Sequence, residues 1–164
     1  MNLGTTLVIA RFDHPDAVKL NDIVQAEYVE RYGDGDATPL DPAMFDPPHG
    51  LYLMAYDAAG RPVATGGWRA RSAAGEGYAD GDAEVKRMFV VREARGQGLA
   101  RRVLARLEET ARAAGRVRMV LETGLMQPEA IALYESSGYL PVPDGGKFGH
   151  YRHAANSRCF TKLL

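Results

Sequence analysis

Apolar and polar residues recur along the chain with two different spacings, which predict strands and helices in alternation. Short apolar runs typical of strands occupy residues 5–12, 51–57, 61–71, 83–91, 117–123, 139–142 and 158–164. Three segments carry apolar residues at helical spacing, namely 14–33, 99–114 and 128–137. Because the two kinds of element are interspersed without repeat or linker, we predict one mixed α+β sheet domain over residues 1–164.

The predicted helices have recognisable ends and apolar faces. Gly33, Gly115 and Gly138 follow the three helices and are expected to end them. The face predicted for the first helix contains Val18, Leu20, Ile23, Val24, Tyr28 and Tyr32. The stripe predicted for the second contains Leu99, Val103, Leu104, Leu107 and Ala111. We therefore expect each helix to pack with one side against the sheet.

Composition and charge narrow the class of protein. With 164 residues and 46% hydrophobic content, the chain is long enough for one core. The 20 Lys and Arg residues balance 21 Asp and Glu residues, so we expect no nucleic acid and no membrane as partner. The sequence has no bilayer-spanning apolar run, no signal-peptide pattern and one cysteine, Cys159, which predicts a cytoplasmic protein. Its four histidines lack metal-ligand spacing, so we predict no metal.

The turn before the second predicted helix is the first candidate for chemistry. Its sequence is RGQGLA, residues 95–100, and Gly96 and Gly98 leave room for a ligand beside the backbone N–H groups of the helix start. The helix dipole and the nearby Arg101 and Arg102 favour an anion, so we predict a phosphate or pyrophosphate site. The alternative is that the glycines only make a tight strand-to-helix turn.

The same turn matches the signature of a known family. RGQGLA resembles the Arg/Gln-x-x-Gly-x-Gly/Ala motif of the GCN5-related N-acetyltransferases (GNAT), with Arg95, Gly98 and Ala100 in the signature positions. Further along, EAIALYESSGYLPV resembles the family's second acetyl-CoA segment, with its Leu-Tyr-x-x-x-Gly-Tyr/Phe core. The resemblance covers residues 83–142 and implies a GNAT-type fold with a central twisted mixed sheet flanked by helices.

The resemblance also implies a cosubstrate and a reaction. The cosubstrate is acetyl-CoA, without a metal, and the residues implied to hold it are Met88, Phe89, Val90, Arg95, Gly96, Gln97, Gly98, Leu99, Ala100 and Arg101. The implied function is an N-acetyltransferase that moves an acetyl group to a primary amine of a small molecule by direct transfer. A protein or peptide N-acetyltransferase and a non-catalytic acyl-CoA-binding module stay open as alternatives, and so does a homodimer.

Direct transfer needs a proton acceptor and a proton donor. An alkylamine with a pKa of about 10 must lose a proton before it attacks, and the departing CoA thiolate must gain one. The resemblance implies Glu84 as the base, and on a regular strand Glu84, Lys86, Met88 and Val90 share one face unless a bulge rotates it. It implies Tyr134 as the acid. The alternatives are a Glu84 carboxylate paired with Lys86 or an arginine, and a Tyr134 ring that belongs to the core.

Some features bear on the acceptor. The acid-rich loops 34–46 and 76–82, together with Glu84, favour a small cationic amine or an amino-acid-like acceptor. Trp68 and Arg69 on the third predicted strand either border the acceptor pocket or belong to ordinary sheet packing. The sequence therefore suggests an acceptor class without identifying the molecule.

Overall fold

Strands and helices alternate along the chain in the predicted order. The computed structural model describes residues 4–164, so residues 1–3 of the predicted domain lie outside the described part. The strands of the described part are β1 Thr6–Ala10, β2 Gly50–Tyr56, β3 Pro62–Arg71, β4 Asp82–Val90, β5 Arg118–Gly124, β6 Leu140–Pro141 and β7 Ser157–Leu163. Its α-helices are α1 Pro15–Tyr32, α2 Leu99–Ala113 and α3 Pro128–Ser136. A short 3-10 turn, Pro42–Phe45, lies in the predicted loop before β2.

All the strands of the described part belong to one mixed sheet. Their order across the sheet is β1-β2-β3-β4-β5-β7-β6. Only β4 and β5 run parallel, while every other neighbouring pair is antiparallel. The parallel pair is connected through α2, as a crossover between parallel strands requires. The predicted mixed α+β class is therefore confirmed.

Helices cover both faces of the sheet, so its central strands are buried on both sides. On β2, Leu51 and Leu53 pack into the hydrophobic cluster that contains the buried residues of α2. The alternate residues Tyr52 and Met54 pack into a second cluster, which contains the buried residues of α1. The stripe predicted for α2 is confirmed, because all of its members are buried: Leu99, Val103, Leu104, Leu107 and Ala111.

The face predicted for α1 is partly wrong. The buried residues of this helix are Ala17, Leu20, Asn21 and Val24. This spacing of three and four residues defines one stripe, and Val18 and Ile23 fall outside it with 46% and 39% of their surface exposed. The predicted end is confirmed, since Gly33 has φ 83 and donates its N–H to the Val29 carbonyl. No helix in the described part of the chain has the length and apolar character to cross a membrane.

Candidate active site

The sheet opens between its two parallel strands. β4 and β5 pair only from Asp82 opposite Arg118 to Glu84 opposite Val120, after which the strands separate. β4 continues to Val90 and β5 to Gly124, with no described strand between them. Main-chain groups on the facing edges therefore lack sheet partners and are available to a ligand.

A bulge in β4 lies at this opening. Arg87 and Met88 together occupy the position opposite the single residue Gly66 of β3. Arg87 adopts φ 59, in the left-handed region that non-glycine residues rarely occupy. A bulge of this kind adds one residue to a strand and shifts the alternation of its side chains.

The bulge makes the predicted shared face of β4 wrong. Lys86 points towards the α1 side of the sheet, where its Nζ donates to Asp36 Oδ2 at 3.2 Å. Met88 and Val90 instead pack against the cluster that contains the buried residues of α2. Glu84 and Lys86 precede the bulge, and Met88 and Val90 follow it, so the four side chains do not line one surface.

A cavity of about 300 Å³ occupies the opening between β4 and β5. Tyr28 lines it from α1, Asp36 from the following loop, Glu122 from β5 and Tyr134 from α3. Because α1 and α3 lie against different core clusters, the cavity is accessible to groups from both faces of the sheet. Two reactants approaching from opposite sides can meet in it.

Glu122 contributes to this cavity a titratable carboxyl group that the sequence did not single out. Its Oε1 accepts a hydrogen bond from the Tyr151 N–H at 3.0 Å, while its buried Oε2 has no hydrogen-bond partner in the described part of the chain. Burial raises the pKa of Glu122 to about 7, aided by the charges of Glu84 and Asp36 and opposed by the Tyr151 N–H and Lys86. The group therefore exchanges its proton near neutral pH. Its one sequence signal is a carboxylate that follows an apolar strand run.

Tyr134 lines the same cavity and also belongs to the core. Its ring packs against Tyr139 and Phe160, with centroids 5.6 and 6.3 Å apart. Burial, and then the neighbouring Tyr28, raise the pKa of the Tyr134 hydroxyl above its usual value. The phenol thus keeps its proton at neutral pH. Both interpretations of Tyr134 from the sequence are compatible with this position.

Glu84 lies apart from the residues that line the cavity. It is fully buried, and both of its oxygens accept short hydrogen bonds, Oε1 from Arg69 Nε at 2.7 Å and Oε2 from the Tyr78 hydroxyl at 2.8 Å. Arg69 also donates to the Pro39 carbonyl at 3.1 Å, so the pair connects β3 and β4 to the loop after α1. This geometry favours the alternative in which the Glu84 carboxylate is paired with an arginine, here on an interior strand of the sheet. The role of Glu84 as a base stays a prediction.

The glycine turn before α2 has exposed main-chain amides. Gly96 and Gly98 have φ 81 and 76, and a Cβ at either position would meet no heavy atom within 4 Å. The first main-chain hydrogen bond of the helix start runs from Arg102 N to Gly98 O at 3.2 Å. In the described part, the amides of residues 99–101 therefore donate to no carbonyl, as at other helix starts.

The arginines of the turn bind other parts of the protein. Arg95 Nε donates to the Val90 carbonyl at 2.9 Å, and its Nη2 contacts Glu27 at 3.1 Å. Arg101 donates to Ser136 Oγ at the end of α3, 2.6 Å away. These contacts connect the turn to β4, α1 and α3, and so hold it at the end of the opening.

Several other candidate residues have packing roles. Leu99 and Phe89 are buried in the two core clusters, so only their main chains remain available to a ligand. Gln97 lines a separate cavity between the turn and α1. Trp68 is buried, and its indole N–H donates to Thr110 Oγ1 of α2 at 3.0 Å, which is ordinary sheet packing. Among the described residues, no cluster of histidine, cysteine and acidic side chains is placed to hold a metal ion.

Comparison with known protein families identifies the family of this chain. A sequence model described as "Acetyltransferase (GNAT) family" matches residues 17–139. The chain belongs to the GNAT family. An "IAA acetyltransferase" of Azospirillum brasilense is 51% identical over 71 residues, which are 43% of this chain and 44% of that protein. The match thus spans less than half the length of this relative.

Solved structures share the GNAT fold along nearly the whole chain. A protein of Klebsiella pneumoniae assigned as an acyl-CoA N-acyltransferase has a TM-score of 0.78 and 26% identity, with 98% of this chain and 97% of that chain covered. The GNAT domain of S. lividans PAT has a TM-score of 0.74 and 19% identity, with 98% and 90% covered. The predicted GNAT-type fold is confirmed.

The turn and the opening have properties that fit acetyl-CoA, the cosubstrate expected of a GNAT protein. The unengaged amides of residues 99–101 and the positive end of the α2 dipole suit a diphosphate. The open space beside Gly96 and Gly98 allows such a group to approach the backbone. The unpaired edge of β4 can then hydrogen-bond an extended chain that leads into the cavity.

Proposed function

We propose that this GNAT protein transfers an acetyl group from acetyl-CoA to a primary amine of a small molecule by direct transfer. The observation that supports this most is the cavity between β4 and β5. Its walls carry a carboxyl group with a pKa of about 7, Glu122, and a protonated phenol, Tyr134. These are a base and an acid suited to neutral pH.

Binding of acetyl-CoA would use the residues inferred from the sequence. The main chain of Gly98 and the amides of residues 99–101 would hold the diphosphate. The main chain of Met88–Val90, on the unpaired stretch of β4, would hold the pantetheine arm. Because the Leu99 and Phe89 side chains are buried, they contribute shape and not direct polar contacts.

The chemistry requires two proton transfers. Bound acetyl-CoA supplies a thioester carbonyl carbon, to which the amine nitrogen bonds as the carbon–sulfur bond breaks. In the proposal, Glu122 accepts the proton that the amine loses, directly or through water, and the Tyr134 hydroxyl donates a proton to the departing thiolate. The products are an N-acetylated amine and CoA.

We infer Glu122 as the base in preference to Glu84 for a geometric reason. Glu122 lines the cavity and has one buried oxygen without a partner, whereas both Glu84 oxygens accept hydrogen bonds from neighbouring side chains. A base needs a free lone pair within reach of its proton. Of the two carboxylates, Glu122 is the one that lines the cavity and has an oxygen that accepts no hydrogen bond in the described part of the chain.

A small acceptor fits the loop that borders the cavity. The Tyr151 hydroxyl donates to Asp36 Oδ1 at 2.9 Å and accepts a hydrogen bond from the Ala37 N–H at 2.6 Å. These bonds connect the loop after α1 to the segment before β7, beside Glu122. A bridge between two loops leaves less room for an extended peptide than for a small molecule.

The test is an acceptor screen that follows release of the CoA thiol. A panel of small primary amines and of lysine-containing peptides is offered with acetyl-CoA to the wild-type protein. We expect acetylation of a small amine, and Tyr134→Phe and Glu122→Gln should each lower kcat by roughly 10²- to 10⁴-fold. Tyr139→Phe is the matched control, because its hydroxyl donates to Glu108 outside the cavity lining.

The alternatives predict different outcomes of the same screen. Transfer only to peptides would identify a protein N-acetyltransferase. Binding of acetyl-CoA with transfer to no acceptor would identify a non-catalytic acyl-CoA-binding module. Wild-type rates in both active-site variants would remove Glu122 and Tyr134 from the mechanism.

A further inference from the structure

The two strands that border the cavity carry opposite charges on its lining. Lys86 and Arg87 lie on β4, and Glu122 lies on β5. Asp36, from the loop after α1, contacts both cations, at 3.2 Å from Lys86 Nζ and 3.5 Å from Arg87 Nε. Asp36 alone does not balance the two cations, and the other acidic residues of the lining are Asp34 and Glu122, so groups of both charges face the cavity.

Asp36 of the acidic loop therefore presents no free negative charge to the acceptor, although the exposed Asp34 of the same loop also lines the cavity. Burial alone would raise the pKa of Asp36, but Lys86, hydrogen bonds from Thr38 and Arg87 outweigh it and hold that pKa well below its usual range. Its oxygens also accept hydrogen bonds from the Thr38 N–H and the Tyr151 hydroxyl. The loop residues 76–82 are not among those lining the cavity. The cavity lining thus contains both acidic and basic side chains, which favours the amino-acid-like acceptor over the small cationic amine, the two classes that the sequence suggested.

Arg87 retains unused hydrogen-bonding capacity at this place. Its side chain is only 7% exposed, and Nη1 donates to Asn21 Oδ1 at 3.1 Å. Its buried Nε has no hydrogen-bond partner in the described part of the chain. The residue also occupies the left-handed region at the bulge, and such outliers cluster at ligand sites. A buried guanidinium in a cavity wall, with an N–H that makes no hydrogen bond, is suited to bind a carboxylate.

We propose that the acceptor is an amino-acid-like molecule whose carboxylate binds Arg87 and Lys86 while its amine faces Glu122. This inference rests on the proposed acetyl transfer. A zwitterion matches the cavity because its negative group meets the cations of β4 and its ammonium meets the carboxylate of β5. A plain amine would leave the Arg87 Nε with its 3.5 Å ion pair to Asp36 but without a hydrogen bond, and buried donors without a hydrogen bond are costly.

The experiment compares amino acids with their α-carboxamides. Glycine, leucine, methionine and phenylalanine are each offered beside the matching carboxamide, and kcat/KM is measured from thiol release. Loss of a charge-assisted contact predicts that the acid exceeds its carboxamide by about 10- to 100-fold. The carboxamide's amine loses its proton more easily, so a site that ignored the carboxylate would favour the carboxamide.

Substitutions test whether Arg87 is the residue that binds the carboxylate of the acceptor. Arg87→Gln is expected to reduce the acid-to-carboxamide ratio to below about 3, because the charged partner is gone. Arg106→Gln on α2 is the matched control, since this half-exposed arginine pairs with Glu109 outside the cavity lining, and it should keep the wild-type ratio. A wild-type preference for carboxamides, or an unchanged ratio in Arg87→Gln, overturns the inference while the acetyltransferase proposal stands.

A binding measurement separates this inference from the proposed function. Calorimetry with CoA present compares N-acetyl-leucine with N-acetyl-leucinamide and needs no turnover. Selective binding of the carboxylate that is lost in Arg87→Gln supports the acceptor class even if no amine is acetylated. Equal binding of both compounds, or binding of neither, overturns it.

Discussion

Replacing Glu84 with glutamine tests whether this carboxylate holds the fold together. Glu84 is fully buried, and its partner Arg69 is 4% exposed, with 2.7 Å between Arg69 Nε and Glu84 Oε1. Glu84→Gln removes the negative charge but leaves the guanidinium buried. Breaking such a pair from one side costs about 3 to 5 kcal/mol. For a chain of this size, each kcal/mol lowers Tm by about 2 to 4 °C, so Tm should fall by roughly 6 to 20 °C.

Urea unfolding at neutral pH measures this loss. The single tryptophan, Trp68, is buried against α2 and gives a fluorescence signal for the transition. The double variant with Arg69→Met and Glu84→Gln is the control, because it contains neither buried charge. It should recover a large part of the stability that Glu84→Gln loses.

Activity decides between the two carboxylates. Glu84→Gln should retain kcat within a few-fold under conditions where it is folded, whereas Glu122→Gln should lose kcat. If Glu84→Gln unfolds within about 0.5 kcal/mol of the wild type and yet loses acetyl transfer by about 10²-fold or more, the reasoning is refuted. Glu84 would then be the base that the family resemblance implied.

Two further predictions concern the cavity and the turn. Because the pKa of Glu122 is raised to about 7, kcat/KM should increase as the pH rises through neutrality, and Glu122→Gln should lose that increase in a pH–rate profile. Between the usual carboxyl pKa and about 7, the free energy of unfolding of the wild type should fall with rising pH, because the unfolded chain loses the Glu122 proton at a lower pH than the folded protein does. Urea titrations in which stability rises over this pH range would contradict the raised pKa of Glu122. Gly98→Ala and Gly115→Ala both place a methyl group in open space at φ 76 and 82, so each should cost about 1 kcal/mol, but only Gly98→Ala should weaken acetyl-CoA binding in calorimetry. Equal affinities in the two variants would place the cosubstrate elsewhere.

The local sequence pattern was sufficient to predict most of the strands and helices and the glycine turn before α2. The stripe of α2 was predicted correctly because residues at helical spacing share one side wherever the helix packs. The turn at residues 95–100 was located because glycines and a helix start are local features. Tyr134 was proposed because it lies within a contiguous family motif, and it lines the cavity, while its role as the acid stays a prediction. In each case the deciding interactions lie within a few residues along the chain.

The partners of Glu84, the side-chain alternation of β4 and the pKa of Glu122 were decided by contacts between segments that are distant along the chain. The Glu84 carboxylate accepts a hydrogen bond from Arg69, and only the pairing of β3 and β4 brings these two residues within hydrogen-bond distance. The bulge at Arg87 reverses the side-chain alternation of β4, and an alternating pattern does not reveal one extra residue. The pKa of Glu122 depends on burial and on charges from other elements, which no local window contains. Spacing along the chain sets which residues share a side of an element, but only folding sets what that side faces.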